Sequence, residues 1–157
     1  MNETSLAWSL PEPGGVRDVR LHFDGELLGK PLAECSTKEI GRHGENIAAS
    51  YLEASGIEVL ERNWRCLYGE VDIIAAQNGT LVMVEVKTRL VRPGGTDVVP
   101  EAAVNYRKLA RYEKLALIYL SKQTKYDAVR FDVVAIRLLA DNEACVRHLL
   151  GAYEWDS

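Results

Sequence analysis

Two carboxylates flank a strong turn signal in the segment GEVDIIAAQNGTLVMVEVKTR, residues 69 to 89. Asn78-Gly79 stands midway between Asp72 and Glu85, and this dipeptide is typical of a two-residue type I′ turn that joins two strands. Counting outward from the turn places Asp72 directly opposite Glu85 on the neighbouring strand. The sequence therefore predicts a hairpin that carries a pair of opposed carboxylates.

The same register adds two further charged groups to one face of the predicted hairpin. Glu70 is expected opposite Lys87, and because side chains alternate between the faces of a strand, both fall on the face of Asp72 and Glu85. The other face is predicted to be apolar and to belong to the core, with Val71, Ile73, Ala75, Val82, Val84 and Val86.

Opposed carboxylates repel each other unless a cation lies between them. Their Cβ atoms are about 5 Å apart across a ladder, which corresponds to about 3 kcal/mol of repulsion at an effective dielectric constant of about 20. Oxygen ligands from two neighbouring strands suit Mg²⁺ or Mn²⁺, whose remaining positions are filled by water and phosphate. Asp72 and Glu85 are therefore candidate metal ligands, and Lys87 is a candidate donor beside the metal.

Solvated charges at a strand end, neutralised by Lys87 and Arg89, are the alternative interpretation. The flanking runs VDIIAA and LVMVEV argue against it, because they are apolar on both faces and are typical of interior strands. Charged groups at the end of interior strands indicate a cleft that binds a ligand.

This region is similar to a known family. Asp72 followed by Glu-x-Lys at residues 85 to 87 resembles the PD-(D/E)xK nuclease superfamily, although Val71 stands where that pattern has proline. Residues 40 to 153 resemble the YraN family of small bacterial proteins through GRHGENIAASYLEASGIEVLERNWRCLYGEVDIIA, LVMVEVKTR and RFDVVAI. That family is similar to archaeal Holliday junction resolvases and is described as endonucleases without an established substrate.

The resemblance implies a divalent-metal-dependent endonuclease whose catalytic residues are Lys87, Asp72 and Glu85. The two carboxylates would hold Mg²⁺ or Mn²⁺, with the Val86 carbonyl as a further ligand by analogy. Lys87 would orient the attacking water or stabilise charge that develops on the phosphate. The rival interpretation is a nucleic-acid-binding module on the same fold without turnover. DNA, rather than RNA, is the expected partner, and branched or irregular structures are the substrate that the resolvase similarity suggests.

Glu45 is a further candidate ligand in a predicted helix from about Arg42 to Ser55. Its spacing from Ala48 and Leu52 places it with the apolar stripe, where an unpaired carboxylate is costly. In resolvase-like nucleases a helix glutamate at this place joins the metal shell. Stabilisation of the helix dipole is the alternative role.

Composition indicates one domain of 157 residues, which at this size buries about 70% of its unfolded surface. Cys35, Cys66 and Cys145 are widely spaced without a CxxC motif, which predicts free thiols in the cytoplasm. No signal peptide or long apolar run is recognised, so no membrane association is expected. The sequence leaves open whether a homodimer forms.

The formal net charge of −4 opposes nucleic-acid binding, but the charge is unevenly distributed. Residues 86 to 130 contain ten Lys or Arg against four Asp or Glu. Arg107, Arg111 and Lys114 form one stripe on a predicted helix from about Pro100 to Leu120. A solvated helix face explains this stripe equally well, but the nearby strand and loop cations favour phosphate contact. The predicted nucleic-acid-binding residues are Arg89, Arg92, Arg107, Lys108, Arg111 and Lys114.

The order of predicted elements is typical of an α/β protein with a mixed sheet. The first helix precedes a strand at IEVLERNWRC, the hairpin, the long helix, a buried strand at RFDVVAI and a short last strand near Cys145 to Leu149. The predicted fold is a three-layer α/β/α restriction-endonuclease-like domain over residues 40 to 157. Residues 1 to 39 are expected to be a poorly ordered or accessory extension, because prolines and glycines near the start break any element.

Overall fold

The computed structural model describes residues 15–23, 29–91, 106–123, 125–139 and 142–153. Within these residues, six strands form one sheet and two α-helices pack against it. The strands are β1 (Val16–His22), β2 (Glu58–Cys66), β3 (Gly69–Gln77), β4 (Thr80–Leu90), β5 (Ala128–Leu139) and β6 (Glu143–Tyr153). The helices are α1 (Thr37–Ala54) and α2 (Tyr106–Leu120), and a short 3-10 helix spans Leu32–Glu34.

The sheet is mixed, as predicted. Its strand order is β1-β6-β5-β4-β3-β2, with β4 and β5 parallel and the other neighbours antiparallel. β1 and β2 are therefore the edge strands, and β4 lies in the interior of the sheet. β1 belongs to the extension predicted for residues 1 to 39, and it adds an accessory strand to β6.

The two helices cover opposite faces of the sheet, which confirms the three-layer α/β/α prediction. One apolar cluster packs under α1 and a second packs under α2. The cluster under α1 includes Ala48, Leu52, Ile73, Ala75, Val82, Val84, Val134 and Ile136. The cluster under α2 includes Val71, Ile74, Leu81, Met83, Leu115, Ala116, Phe131 and Val133. No helix in the described ranges is long and apolar enough to cross a membrane.

The predicted hairpin between β3 and β4 is confirmed. Asn78 and Gly79 have φ angles of +48° and +80°, the left-handed conformation that a type I′ turn requires at both central positions. Gln77 pairs with Thr80, and the ladder continues to Ile73 opposite Val84. The described ladder ends there, one step before the predicted pairing of Asp72 with Glu85.

α1 begins earlier than the predicted start near Arg42. Ser36 caps the helix: its side chain accepts a hydrogen bond from the Glu39 N–H at 3.1 Å, and the Glu39 carboxylate accepts one from the Ser36 N–H at 3.1 Å. This capping box satisfies two backbone donors that the helix leaves unpaired. The helix therefore includes an additional turn that carries Lys38.

Candidate active site

The predicted site lies where the β3–β4 ladder ends. Val71 packs in the cluster under α2 and Ile73 in the cluster under α1, so the regular alternation of side chains is interrupted at Asp72. The prediction that Val71 shares a core face with Ile73 is therefore wrong. On β2, Asn63 has a left-handed φ of +53° and lies between residues that pair with Ile73 and Val71.

A backbone hydrogen bond fixes the Asp72 carboxylate at this irregular point. The Val86 N–H donates to Asp72 Oδ2 at 2.8 Å, so the side chain takes the place of a strand partner. The pKa of Asp72 is raised to about 6, chiefly by burial and also by the nearby charges of Glu45, Glu85 and Glu70. The Val86 hydrogen bond acts in the opposite direction. Three glutamates at this end of the sheet are therefore close enough for their charges to act on Asp72.

Glu85 points from β4 towards α2, where its Oε1 forms an ion pair with Lys108. Its Oε2 is buried and has no hydrogen-bond partner within the described structure. Only 13% of the Glu85 side chain is exposed, so solvent does not compensate for the missing partner. An unsatisfied buried carboxylate oxygen is costly, and a cation beside it would remove that cost.

The donor set can be compared with the needs of a divalent cation. Among the described side chains, no three His, Cys, Asp or Glu groups converge on one point. Mg²⁺ does not need such a cage, because one or two carboxylates usually hold it together with water and substrate phosphate. Asp72 and Glu85 supply hard oxygen donors of this kind, and Glu85 Oε2 has no other partner among the described groups.

Glu45 enters the site from α1 because the helix approaches β4 closely. A Cβ atom added to Gly44 would lie 1.8 Å from Thr88 Oγ1, so only glycine fits at this contact. Glu45 follows Gly44 in the chain, is half-buried and raises the pKa of Asp72. The structure thus brings Glu45 near Asp72, on the side of the sheet opposite Lys108.

Glu70 and Lys87 do not face each other in the described ladder, contrary to the predicted register. The β3–β4 pairing stops at Ile73. Glu70 instead pairs with Arg65 of β2, whose Nε lies 2.9 Å from the Glu70 carboxylate. Lys87 is half-buried on β4, two residues after Glu85. Because β4 pairs regularly with β5 through this region, Lys87 lies on the same face as Glu85.

The predicted nucleic-acid-binding cations have different surroundings. Lys108 pairs with Glu85, and Lys114 Nζ lies 4.1 Å from the centre of the Tyr68 ring. Arg111 lies over the ring of its neighbour Tyr112 at 5.6 Å. Arg89 is exposed on β4 and lines a cleft beside Val86 and Thr88. Arg92 and the side chain of Arg107 lie outside the described residues.

A second cluster of charged groups is buried in the core and is separate from this site. Asp132 accepts hydrogen bonds from Arg130 at 2.8 and 3.0 Å and from the Gly151 N–H at 2.9 Å, and it lies 2.7 Å from His148 Nε2. Tyr51 Oη lies 3.0 Å from His148 Nδ1. Burial acts to raise the pKa of Asp132, but these partners hold it below its usual value. Arg130 and Asp132 thus pair with each other within this buried cluster.

Basic residues on α1 and β2 were not predicted as part of the site. They line a groove that also contains Glu45 and Glu70. Lys38 and Arg42 are four residues apart, a spacing that places both on one face of a helix. The predicted start of α1 near Arg42, however, leaves Lys38 outside the helix. The sequence does not predict that Arg62 and Arg65 share one surface. They are three residues apart, and on a regular strand such residues point to opposite faces.

Comparison with known proteins identifies the family. The profile of the uncharacterised protein family UPF0102 matches residues 44–136, which is more than half of the chain. The chain belongs to UPF0102. This confirms the resemblance to the YraN family, and the matched segment contains every predicted catalytic and metal-binding residue.

Curated UPF0102 proteins from several bacteria are similar to this chain over nearly their whole length. One from Nocardia farcinica is 40% identical over 124 residues, covering 78% of this chain and 95% of the relative. One from Geobacter sulfurreducens is 41% identical over 127 residues, covering 79% and 97%. One from Thermodesulfovibrio yellowstonii is 42% identical over 115 residues, covering 73% and 96%. The UPF0102 similarity establishes the family and does not itself assign an activity.

Proposed function

We propose that this UPF0102 protein is a divalent-metal-dependent endonuclease that hydrolyses phosphodiester bonds in DNA. The observation that carries the proposal is the proximity of two partly buried carboxylates, Asp72 and Glu85, whose charges interact just beyond the end of the β3–β4 ladder. Asp72 is held by the Val86 N–H, and Glu85 beside it has a buried oxygen without a partner in the described structure. Buried carboxylates of this kind lower the stability of the metal-free protein, and a bound cation would offset that cost.

The residues of the chain have distinct roles in this proposal. Asp72 and Glu85 would hold Mg²⁺ or Mn²⁺, with the Val86 carbonyl and Glu45 as further ligands. When bound, the metal would supply a Lewis acid for the scissile phosphate and lower the pKa of a water molecule. The Val86 N–H keeps the Asp72 carboxylate oriented, so no reorganisation of this ligand is needed.

Lys87 would act on the phosphate or on the attacking water. It lies on the face of Glu85, and in the described structure no ion pair engages its ammonium group. A positive charge at this place would stabilise negative charge that develops on the phosphoryl oxygens. Lys108 would leave Glu85 when the carboxylate binds a cation, and it would then be available to a second phosphate group.

A nucleic-acid-binding module without turnover is the second candidate function. The basic residues around the cleft favour nucleic acid as the partner under either function. The partly buried Asp72–Glu85 pair favours the enzyme, because a module that only bound phosphate would gain affinity by losing these negative charges. A cytoplasmic location belongs to the same proposal and agrees with the free thiols of Cys35, Cys66 and Cys145.

The decisive experiment is a cleavage assay on a panel of DNA structures. Purified protein is incubated with linear, flapped, single-stranded and four-way DNA, and with matched RNA, in Mg²⁺ or Mn²⁺. We expect cleavage of DNA that EDTA abolishes and that Asp72→Ala, Glu85→Ala and Lys87→Ala each remove. Glu53→Ala, on the exposed end of α1, is the matched control and is expected to retain activity. Cleavage that survives EDTA or Asp72→Ala would refute the mechanism.

A further inference from the structure

A groove between α1 and β2 leads to the candidate metal site from the edge of the sheet. It has a volume of about 640 Å³. Lys38 and Arg42 line it from α1, and Arg62 and Arg65 line it from β2. The carboxylates of Glu45 and Glu70, whose charges both act on Asp72, also line the groove.

The local structure explains why these cations meet. Lys38 and Arg42 are four residues apart on α1 and share one face of the helix. On β2, the left-handed backbone of Asn63 interrupts the alternation of side chains, so Arg62 and Arg65, three residues apart, both line the groove beside α1. Arg62 Nη2 donates a hydrogen bond to Asn46 Oδ1 at 2.7 Å, which joins the edge strand to the helix across the groove.

The groove carries a net positive charge, because its four cations outnumber its two carboxylates. Asn46, the partner of Arg62, is neutral, and neither Lys38 nor Arg42 has an ion pair within the described residues. Arg65 does pair with Glu70, but their side chains are 76% and 52% exposed, so this ion pair is weak and easily exchanged for another partner. This local positive charge contrasts with the formal net charge of −4 for the whole chain.

The groove adjoins a second cleft beside β4. Gly41 and Glu45 line both, and the second cleft is formed further along by Val86, Thr88 and Arg89. Val86 is the residue whose N–H holds Asp72. A chain that lies along the cations of α1 and β2 would therefore pass Glu45 and reach the candidate metal site.

We infer that the groove between α1 and β2 binds the sugar–phosphate backbone of the DNA substrate and leads it to Asp72 and Glu85. This inference rests on the proposed function. Phosphate contacts of this kind set the position and affinity of a nucleic acid without reading its sequence. The surface differs from the predicted basic stripe on α2, where Lys108 and Lys114 already contact Glu85 and Tyr68.

The test compares two variants that remove the same amount of charge from different surfaces. Lys38→Gln/Arg42→Gln neutralises the groove, and Lys122→Gln/Lys125→Gln neutralises two exposed cations beyond the end of α2. Binding of fluorescent single-stranded and four-way DNA is measured by anisotropy in EDTA over a range of salt concentrations. Arg62→Gln is a third variant that tests the groove from β2, and thermal melts verify that each variant is folded.

We expect the groove variant to bind DNA roughly tenfold more weakly at low salt than the unaltered protein. The slope of log Kd against log salt should fall by about 1.4 to 1.8, because each of the two lost phosphate contacts removes about 0.7 to 0.9 from the slope. Arg62→Gln should weaken binding in the same direction, and the control pair should leave both quantities nearly unchanged.

The outcomes separate this inference from the proposed function. If the groove and control variants weaken binding equally, the groove inference is overturned, while cleavage that depends on Asp72 would leave the proposed function intact. If the unaltered protein binds no DNA at any salt concentration and cleaves none, both are overturned. If cleavage fails but the groove variants selectively weaken DNA binding, the groove inference survives and the protein is a binding module.

Discussion

The Val86 N–H donates a 2.8 Å hydrogen bond to the carboxylate of Asp72 at the point where the β3–β4 ladder ends. A main-chain donor of a core strand thus holds an acidic side chain in a fixed orientation. The same carboxylate is disfavoured by burial and by three neighbouring glutamates. The site therefore combines precise placement with an unfavourable charge, which is the combination that a cation-binding centre requires.

The first prediction is that Asp72→Asn stabilises the metal-free protein at neutral pH. The amide oxygen of Asn can still accept the Val86 hydrogen bond, while the charge that burial and Glu45, Glu85 and Glu70 disfavour is removed. We expect a gain of about 1 to 3 kcal/mol in the free energy of unfolding in EDTA. Added Mg²⁺ or Mn²⁺ should then stabilise the unaltered protein more than the variant.

Asp18→Asn is the matched control for this experiment. Asp18 pairs with Arg147 on the exposed face of β1, where loss of one carboxylate should change stability by less than about 0.5 kcal/mol. Paired thermal melts with and without metal measure the effect. A destabilising Asp72→Asn together with equal responses to metal would show that these carboxylates are ordinary polar groups.

The second prediction concerns the pH dependence of stability without metal. The pKa of Asp72 is about 6 in the folded protein and about 4 in an unfolded chain. Between these values the folded protein binds more protons, so the Asp72 contribution to stability is present at low pH and is lost as the pH rises from about 4 to about 6. Other carboxylates act in the opposite direction, Asp132 among them, because its partners lower its pKa.

The difference between the unaltered protein and Asp72→Asn isolates the Asp72 contribution. Near pH 4 the two proteins should be almost equally stable, and above about pH 6 the variant should show its full advantage. Denaturant unfolding in EDTA at a series of pH values measures this difference. A constant difference across the series would mean that Asp72 titrates normally and that the carboxylates do not interact.

The sequence predicts those parts of the fold that depend on neighbouring residues in the chain, such as the β3–β4 turn. The Asn78-Gly79 dipeptide specifies the turn, because both positions must adopt positive φ, and the turn then sets the register. The start of α1 was also readable, since Ser36 and Glu39 have the spacing of a capping box. The helix was nevertheless predicted from its apolar stripe alone, which gave a start near Arg42.

The orientation of the site residues depends on contacts between distant elements and could not be predicted from local pattern. Glu85 points to α2 because Lys108 lies there, and no spacing rule links these two residues. The break in alternation at Asp72 is matched by the left-handed Asn63 on the adjacent strand, so the irregularity belongs to two strands together. Local pattern therefore identified the candidate carboxylates and the hairpin between them, but it implied a ladder that extends to Asp72 and Glu85, whereas the ladder ends at Ile73 and Val84.

The third prediction is that Lys108→Gln increases the affinity for metal. The Lys108 ammonium group occupies Glu85 Oε1, so a metal ion must compete with it for the carboxylate. Without this competing charge we expect Mg²⁺ or Mn²⁺ to bind about three to ten times more tightly, although the metal-free variant should be less stable. Titration calorimetry of the two proteins measures the dissociation constants directly.

Lys114→Gln is the control for Lys108→Gln. Lys114 lies on the same helix but contacts the Tyr68 ring instead of a carboxylate, so its removal changes the net charge equally without freeing Glu85. A general electrostatic effect would alter metal binding in both variants to the same extent. Equal affinities in both variants would therefore contradict the proposed competition at Glu85.

The last prediction tests the contact that carries Glu45 into the site. Gly44 on α1 faces Thr88 on β4, and an added Cβ would lie 1.8 Å from the Thr88 hydroxyl oxygen and 2.7 Å from its Cβ. Gly44→Ala must therefore separate the helix from the strand, at a cost of about 1 to 3 kcal/mol of stability. Gly41→Ala is the matched control on the same helix, because an added Cβ there would meet no atom within 4 Å apart from its chain neighbours and its own helix backbone.

Gly44→Ala and Gly41→Ala should change the stability of the protein in opposite directions. Gly41→Ala removes backbone freedom from the unfolded chain and is expected to stabilise the protein by about 0.5 to 1 kcal/mol. Thr88→Gly should restore part of the stability lost in Gly44→Ala, because it removes the atoms that the added methyl group would meet, and a double-mutant cycle measures this coupling. If Glu45 belongs to the metal shell, Gly44→Ala should also weaken metal binding, whereas Gly41→Ala should not. Equal metal affinities in a folded Gly44→Ala variant would place Glu45 outside the shell and leave Asp72 and Glu85 as the carboxylate ligands.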